Sequence, residues 1–396
     1  MIKICIYCEK WGSGGIESYL VNMLEQMFNR GFITDIVTAT MTSDLYVSRL
    51  NKIGIRIIEL SGSPYKITEN RSRLHHIFRH EHYDVFYLNT FIAVSMIYLK
   101  DAEKYHIARR IVHSHNNCLR ESITRPVKMF FHKISQQIYF KYATDYWACS
   151  MEAAEFLFGK DVGKSKQLKI IKNGIDTQKF RFNGNVRQKI REQLGISNRT
   201  VIGHIGRIGY QKNQSFLLEV FRQVVKNRPE MVLLLIGDGD TTMLQRRATE
   251  LEIAHSVVFL EATNQVAQLL SAMDVFVFPS IFEGFGIVAI EAQCAGLPTI
   301  CSSQVPSDVD ITPLCQHLML NDDISVWVSA ITKALNNSVD SRDTYADRVK
   351  RAGYDIRDSA EWVSQQLLLR SSQLSFFYWT PAVAVSVKCK IGRAHV

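Results

Sequence analysis

Residues 275–292 have the sequence VFVFPSIFEGFGIVAIEA, and the fold can be predicted from this stretch outward. The apolar run at 275–278 is typical of a strand buried on both faces. Gly284 and Gly286 permit a tight turn after it, and the apolar pattern that follows predicts a helix beginning at about Gly286. A buried strand, a glycine turn and a helix are the building block of a parallel α/β sheet.

The same alternation of strand and helix patterns continues over most of the chain. Strand patterns in the first half occupy residues 2–7, 36–38, 55–60, 85–88, 110–113, 146–148 and 169–171. Those in the second half occupy residues 201–205, 232–236, 257–260, 275–278, 299–301 and 318–320. Helical patterns separate them, as in consecutive βαβ units, so we predict an α/β protein with doubly wound parallel sheets.

Two sheets are expected because 396 residues exceed what one hydrophobic core usually supports. The turn-rich string NGID at 173–176 and the polar stretch behind it mark the boundary. We predict an N-terminal domain at 1–172, a linker at 173–195 and a C-terminal domain at 196–370. Two Rossmann-like domains in tandem carry their ligand crevices at the carboxyl ends of the strands, where they can face each other across a cleft.

The last segment, residues 371–396, fits neither a helical nor a strand period. Its final six residues, IGRAHV, match a translated sequencing-adapter read-through. We expect a helix over residues 359–369 to close the fold and treat the tail as no part of it.

Composition narrows the range of partners. With 46% hydrophobic residues, 21% charged residues and 8 prolines, the chain is typical of an ordered globular protein. The net charge of +9 favours an acidic partner, which is a nucleotide diphosphate, a nucleic acid or an anionic membrane surface. The sequence has no signal-peptide pattern and no run of about 20 apolar residues, and its cysteines are scattered, so we expect a cytoplasmic protein.

Residues 100–141 contain nine Lys or Arg against three Asp or Glu. Apolar residues recur among them at helical spacing, which predicts a basic amphipathic helix. These are Phe130, Phe131, Ile134, Ile138 and Tyr139. The helix either packs its apolar face on its own domain or lies on anionic lipid at the inner face of the plasma membrane.

Two carboxylates accompany the glycine turn of residues 284–286. The free N–H groups of a helix start bind phosphate. Glu283 precedes the helix and Glu291 lies about one and a half turns into it, so both can flank one ligand. One carboxylate would accept hydrogen bonds from sugar hydroxyls and the other from ribose hydroxyls. The alternative is an ordinary strand–turn–helix with solvated glutamates.

A second candidate site follows the first strand of the C-terminal half, in the string GHIGRIGYQKN at 203–213. Arg207 offers planar donors and Lys212 a point charge, which suits a diphosphate leaving group. Catalysis must stabilise the negative charge that develops on such a group. A surface turn with two solvated cations is the alternative.

A third candidate is the glycine-rich string GSGGIE at 12–17, between the first strand and the first helix. It departs from the dinucleotide pattern G-x-G-x-x-G because Glu17 occupies the third glycine position. A nicotinamide site is therefore disfavoured, and the loop alone is weak evidence for any ligand.

Together, GSGGIE at 12–17, GRIGYQK at 206–212 and the E-x7-E string formed by Glu283 and Glu291 resemble the retaining GT-B glycosyltransferases of family 4 (glycosyl transferases group 1). The strings DYWACS at 145–150, NGID at 173–176 and IGDG at 236–239 agree with this resemblance. It covers about residues 1–370 and points within the family to exopolysaccharide and capsule glycosyltransferases.

The resemblance implies donor-binding roles in all three strings. Arg207 and Lys212 would hold the donor diphosphate, and Glu291 the ribose. Glu283 and the amides of residues 285–287 would hold the donor sugar and phosphate. The implied donor-binding residues are Gly14, Gly15, Gly206, Arg207, Lys212, Glu283, Gly284, Phe285, Gly286, Ile287 and Glu291.

An essential histidine usually ends the fifth strand of the first domain in this family, near the transferred sugar. The string VHSHN at 112–116 offers two candidates, of which we favour His115 over His113, while a structural role stays open for either. The implied catalytic residues are Glu283, His115, His113, Arg207 and Lys212.

The sequence departs from the family at Glu261, where glycine is common. Asp238 and Asp240 form the D-x-D pattern of metal-dependent transferases, but they lie in the family's ordinary glycine turn. The resemblance implies no metal and no cofactor, because the nucleotide-diphosphate sugar is a substrate.

We therefore expect a metal-independent retaining glycosyltransferase of the hexosyltransferase type. It would move a hexose or N-acetylhexosamine from a UDP-sugar to a glycan or lipid-linked acceptor in surface or exopolysaccharide biosynthesis, with no nucleic-acid partner. The alternatives are a nucleotide-sugar epimerase or a phosphorylase on the same fold, and a non-enzymatic nucleotide-sugar-binding module.

Overall fold

The computed structural model describes residues 1–117, 119, 124–164, 167–337 and 341–368. The predicted tail at 371–396 lies outside the described residues, as does residue 369 at the end of the predicted closing helix.

The first sheet has seven parallel strands in the order β3-β2-β1-β4-β5-β6-β7. They are β1 (Ile2–Trp11), β2 (Phe32–Met41), β3 (Arg56–Glu59), β4 (Val85–Thr90), β5 (Arg109–Ser114), β6 (Asp145–Ala148) and β7 (Leu168–Ile170). The helices are α1 (Gly15–Met27), α2 (Val47–Lys52), α3 (Ile67–His80), α4 (Ile97–Lys104), α5 (Arg125–Tyr139) and α6 (Met151–Phe158). The strand order reverses between β1 and β4, which makes that position the switch point of the sheet.

The second sheet has six parallel strands in the order β10-β9-β8-β11-β12-β13. They are β8 (Thr200–Ile205), β9 (Met231–Ile236), β10 (Val257–Leu260), β11 (Val275–Phe278), β12 (Thr299–Ser302) and β13 (Cys315–Leu318). The helices are α7 (Gly184–Gln193), α8 (Gln214–Asn227), α9 (Thr242–Glu250), α10 (Val266–Ala272), α11 (Ile287–Cys294), α12 (Ile324–Asn336), α13 (Tyr345–Arg351) and α14 (Ile356–Leu368). The predicted architecture of two parallel α/β sheets is confirmed, and here the order reverses between β8 and β11.

The predicted strands follow the observed ones closely where every residue is apolar and buried. β9 and β11 are buried along their whole length, as expected for strands covered on both faces. The prediction of a last strand at 318–320 was wrong, because the strand is Cys315–Leu318. Met319 instead begins a turn, in which its N–H donates to the Asp322 carboxylate over 3.0 Å.

Two helices belong to domains other than those predicted. α7 lies within the predicted linker of 173–195 but packs on α10 of the second sheet. α14 lies within the predicted C-terminal domain of 196–370 but packs on α1 of the first. The apolar side chains along α14 require a covering partner, and the N-terminal core supplies it. Those buried in that core are Ile356, Ala360, Val363 and Leu367.

The chain passes between the domains twice, and the two crossings hydrogen-bond to each other. The Ile175 N–H donates to the Tyr354 carbonyl, and the Ile356 N–H donates to the Ile175 carbonyl, both over 2.8 Å. A Cβ on Gly174 would lie 2.9 Å from the Asp355 carbonyl oxygen, so a side chain there would separate the crossings. The string NGID therefore forms half of a two-stranded connection.

The basic region at 100–141 is not one amphipathic helix, because β5 interrupts it and only α5 carries the apolar pattern. Of the five apolar residues predicted for this helix, Tyr139 packs against the core of its own domain, and the other four are exposed. His132 and Ser135 are the buried residues of α5, whereas five large apolar side chains are exposed. These are Val127, Phe130, Phe131, Ile134 and Ile138, which we call the α5 surface. In the part of the chain that the structure describes, no helix is both long and apolar enough to cross a membrane.

Candidate functional site

The three candidate strings meet in the cleft between the domains. The loops after β8 and β11 are neighbours at the switch point of the second sheet, where ligands of such sheets bind. They face the loop after β1 and the end of β5. The Ser13 hydroxyl donates across the cleft to the Asp238 carboxylate over 3.3 Å. The Asn264 side-chain amide donates to the Leu45 carbonyl over 3.1 Å.

The turn between β11 and α11 places a helix start in the cleft. Gly286 has a φ of 87°, a left-handed conformation that favours glycine, and α11 begins at the next residue. Gly286 has no side chain to cap this helix, and within the described residues its first N–H groups remain available to an anion. A Cβ on Gly284 would lie 2.1 Å from Asn116 Oδ1 and 2.8 Å from the His115 carbonyl oxygen. Gly284 therefore allows the N-terminal domain to approach the turn.

Lys212 and Glu283 form an ion pair at the base of this turn. Lys212 Nζ lies 2.5 Å from Glu283 Oε1, and both side chains are largely buried. The Lys212 ammonium also lies 4.5 Å from the centroid of the Phe278 ring, within range of a cation–π contact. A Cβ on Gly206 would lie 2.9 Å from Lys212 Cδ, so the glycine makes room for the lysine stem.

Arg207 reaches the glycine loop of the opposite domain. A Cβ on Gly12 would lie 3.4 Å from Arg207 Nη2. In that loop the Gly12 N–H donates to Glu17 Oε1 over 3.0 Å. Burial raises the pKa of Glu17, while the positive charge of Arg207 acts in the opposite direction. The residue that breaks the dinucleotide pattern thus caps its own loop and faces Arg207.

Gly14 and Gly15 are constrained by different neighbours. A Cβ on Gly14 would lie 2.7 Å from Glu17 Oε2, so a side chain there would displace the carboxylate that caps the loop. A Cβ on Gly15 would lie 3.0 Å from Ile287 Cγ2, at the start of α11 across the cleft. Gly15 therefore lets the loop approach the turn after β11, whereas Gly14 makes room for the carboxylate within its own loop.

Glu291 is buried on α11 at the side of the cleft nearest the domain crossing. Burial raises the pKa of this carboxyl to about 8, and the positive charge of Lys179 offsets only part of that effect. Burial also raises the pKa of Tyr46 to about 12, and the charge of Glu291 contributes to the rise. Tyr46 and Lys179 were not predicted from sequence, because neither lies in a recognisable motif.

The two candidate histidines occupy different positions. His113 lies within β5, stacks on the Tyr87 ring and shares a 2.7 Å hydrogen bond between its Nδ1 and the Tyr87 hydroxyl. His115 follows the strand, and its Nε2 lies 2.9 Å from Asn89 Oδ1. Among the described residues, neither His115 Nδ1 nor His113 Nε2 has a hydrogen-bond partner. The pKa values of both imidazoles are lowered by burial, for His115 to about 3, so both are neutral at physiological pH.

The two aspartates of the D-x-D string make different local contacts. Asp238 accepts the hydrogen bond from Ser13, whereas Asp240 accepts bonds from the N–H and hydroxyl of Thr242 over 2.9 and 2.6 Å. Among the residues that the structure describes, the one grouping of side chains with metal-ligand spacing lies elsewhere, at Asp310, Cys315 and His317.

A cleft between two Rossmann-like domains, with loops suited to a nucleotide diphosphate, defines the GT-B class of glycosyltransferases. Comparison with known proteins agrees with this classification. Residues 13–179 match the model of Glycosyltransferase Family 4, and residues 186–352 match that of Glycosyl transferases group 1. The chain belongs to the family 4 glycosyltransferases.

The similarity to known relatives and to solved structures covers nearly the whole chain. EpsF of Bacillus subtilis, which is assigned as a glycosyltransferase, is 26% identical over 87% of this chain and 91% of its own length. The crystal structure of Anabaena HepE in complex with UDP and glucose has a TM-score of 0.73 at 19% identity, covering 93% of this chain and 99% of HepE. WaaG, a glycosyltransferase of lipopolysaccharide biosynthesis, has a TM-score of 0.72 at 15% identity, covering 92% of this chain and 99% of WaaG.

Proposed function

We propose that this glycosyltransferase transfers a hexose or N-acetylhexosamine, with retention of configuration, from a UDP-sugar to a glycan or lipid-linked acceptor. The reaction would serve surface or exopolysaccharide biosynthesis in the cytoplasm and would need no metal ion and no cofactor. A UDP donor is supported by the HepE complexes with UDP and UDP-glucose. A lipid-linked acceptor is supported by a relative 28% identical over 44% of this chain, an Escherichia coli galactosyltransferase acting on GlcNAc-diphosphoundecaprenol.

The observation that carries this proposal is the convergence of Lys212, Arg207 and the uncapped start of α11 on one part of the cleft. Each is a donor of positive or partial positive charge, and a diphosphate is the ligand that matches all three. The nucleotide diphosphate would draw Lys212 from Glu283 toward the phosphates. Glu283, released from that ion pair, would accept hydrogen bonds from the donor sugar.

The same groups would stabilise the diphosphate as it leaves. The C–O bond between the sugar and the diphosphate breaks while the acceptor hydroxyl attacks from the same face. The leaving phosphate oxygen takes the acceptor proton, so no protein carboxylate is required as nucleophile. Closure of the domains, through Gly15 against Ile287 and Gly284 against Asn116, would exclude water from the reaction.

Of the two histidines, we propose His115 as the residue near the transferred sugar. It follows the end of β5, and its carbonyl oxygen would lie 2.8 Å from a Cβ on Gly284, so it adjoins the turn after β11. His113 is held between aromatic rings within the strand, which suits a structural role.

The proposal is tested by incubating the enzyme with UDP- and GDP-sugars and lipid-linked acceptors, and by determining the anomeric configuration of the product by NMR. We expect transfer from a UDP-sugar with the configuration retained. Inverted product would disprove the retaining mechanism, and formation of a sugar phosphate from a glycan and added inorganic phosphate would favour a phosphorylase instead. Initial rates directly after addition of EDTA should be unchanged, whereas a strict requirement for Mn²⁺ would assign a metal to Asp238 and Asp240.

The α5 surface supports a second part of the proposal, that the enzyme works at the inner face of the plasma membrane. Phe130 and Phe131 are each more than half exposed, and their rings pack edge to face with centroids 5.7 Å apart. Lys128 and Lys133 belong to the same helix, which contains no Asp or Glu. Exposed aromatic side chains beside lysines match the acyl boundary and headgroups of an anionic lipid surface.

Vesicle flotation tests this surface. We expect binding to vesicles that contain phosphatidylglycerol, weaker binding at high salt, and at least about a tenfold loss in Phe130→Ser/Phe131→Ser, because each buried ring contributes more than about 1 kcal/mol. The matched control is Phe28→Ser/Met243→Ser, which removes two exposed apolar side chains from other surfaces. Equal binding by both double variants would contradict the assignment.

A further inference from the structure

Four potential metal ligands lie together at the edge of the second sheet, and none of them is a predicted donor-binding residue. Cys315 and His317 alternate along β13 and so project toward the same face of the sheet. Cys301 lies on the paired strand β12, directly opposite His317. Asp310 comes from the loop between the two strands. Cys, His and Asp side chains all bind transition metals, and two thiolates with an imidazole and a carboxylate suit zinc.

The ligand atoms of Asp310, Cys315 and His317 lie within 4.8 Å of one another, and Cys301 adjoins this group through Cys315. Cys315 Sγ lies 4.0 Å from Cys301 Sγ and 3.8 Å from His317 Nε2, and His317 Nε2 lies 2.7 Å from Asp310 Oδ1. Ordinary zinc bond lengths give tetrahedral edges of about 3.8 Å for S–S, about 3.6 Å for S–N and about 3.3 Å for N–O. The first two edges require shifts of a few tenths of an ångström. The third opens when the metal replaces the proton shared by His317 and Asp310.

The orientation of His317 is an independent sign of a metal ligand. Its Nδ1 lies 3.1 Å from the Ser302 carbonyl oxygen. A carbonyl only accepts, so Nδ1 carries a proton and Nε2 is the atom presented to Asp310 and Cys315. A metal-binding histidine is normally held in this way, with its remote N–H on a carbonyl or carboxylate.

We propose that Cys301, Asp310, Cys315 and His317 bind one Zn²⁺ ion, which fixes the loop between β12 and β13. That loop supports the donor turn. A Cβ on Gly286 would lie 3.2 Å from Val305 Cγ1, and the Gln293 side chain of α11 donates to the Val309 carbonyl over 2.7 Å. The start of α11 packs on this loop, and the ion would anchor the loop to the sheet. It takes no part in sugar transfer.

Zinc and cobalt titrations of the full chain test the site. We expect one equivalent of Zn²⁺ to bind in competition with a chromophoric chelator, and Co²⁺ to give a thiolate charge-transfer band with the intense visible bands of a tetrahedral complex. Cys315→Ser and His317→Gln should each weaken binding by more than about tenfold, since loss of even an outer partner of a ligand costs that much. Zn²⁺ should raise the Tm of the wild type but not of Cys315→Ser.

The matched control is Cys5→Ser, which removes a buried thiol from the N-terminal domain. It should retain the cobalt spectrum, and circular dichroism should show that all variants are folded. The proposal is overturned by substoichiometric binding, by equal losses in Cys5→Ser and Cys315→Ser, or by a Cys301–Cys315 disulfide in freshly purified protein. None of these outcomes bears on the proposed transferase activity, because the four ligands are not donor-binding residues.

Discussion

Glu283 and Glu291 lie eight residues apart on either side of the same helix start, and the structure buries both to 6% exposure. Their surroundings differ nonetheless. Glu283 is paired with Lys212 at 2.5 Å, whereas Glu291 has a pKa raised to about 8 because burial outweighs the influence of Lys179. Equal burial therefore leaves one carboxylate as half of an ion pair and the other protonated at neutral pH. A protonated carboxyl can both donate to and accept from ribose hydroxyls.

The largest effect is expected from removing the cations on the Glu283 side. Arg207→Ala/Lys212→Ala should lower kcat/KM by at least about 10³-fold, because two groups that stabilise the leaving diphosphate are lost. The variant also leaves Glu283 buried without its cation, so the free energy of unfolding should fall by about 3 kcal/mol. Steady-state kinetics and urea unfolding measure the two effects separately.

Lys226→Ala is the matched control for the cation variant, because it removes an exposed lysine from α8 in the same domain. It should leave kcat/KM and stability within experimental error of the wild type. Normal turnover in the double variant would refute the role of Arg207 and Lys212 at the diphosphate, whatever happens to stability.

A smaller effect should distinguish the two carboxylates, because their substitution should change different kinetic parameters. Glu283→Gln should lower kcat by about a hundredfold, because its hydrogen bonds serve the reacting sugar in the transition state. Glu291→Ala should instead raise the KM for the donor by about tenfold, the value of one hydrogen bond to a ribose hydroxyl, with kcat little changed. If both variants changed the same parameter to the same extent, the two sites would not differ in role.

Sequence patterns were sufficient for the parallel sheets, because β9 and β11 are apolar throughout and can only be buried strands. They also located the loops at the carboxyl ends of those strands. They could not predict that Lys212 pairs with Glu283, since 71 residues separate the two and both had been assigned to the ligand. The sequence also could not predict which part of the protein covers an apolar helix face.

α14 and α5 illustrate that second difficulty. Both have an apolar stripe, and a stripe shows that a helix needs cover without showing what covers it. The stripe of α14 is covered by the opposite domain, whereas that of α5 stays exposed. The surroundings of Glu291 could not be predicted either, because they come from distant parts of the chain. Lys179 follows the first domain crossing, and Tyr46 comes from the N-terminal domain.

The smallest effect concerns the pH dependence of stability without ligand. The pKa of Glu291 is raised in the folded state from 4.5 to about 8, so the folded protein holds a proton that the unfolded chain has released across this interval. Its contribution to stability is therefore complete below about pH 4.5 and is lost as the pH rises toward 8, with a slope of at most about 1.4 kcal/mol per pH unit. Glu291→Gln cannot titrate, so its free energy of unfolding should fall less steeply over this range.

Urea unfolding at several pH values gives the slopes, with Glu283→Gln as the control for loss of a buried carboxylate. Because other groups titrate equally in all three proteins, only the difference in slope matters. Identical slopes in the wild type and Glu291→Gln would mean that Glu291 is ionised in the folded state, and the contrast between the two carboxylates would then rest on Lys212 alone.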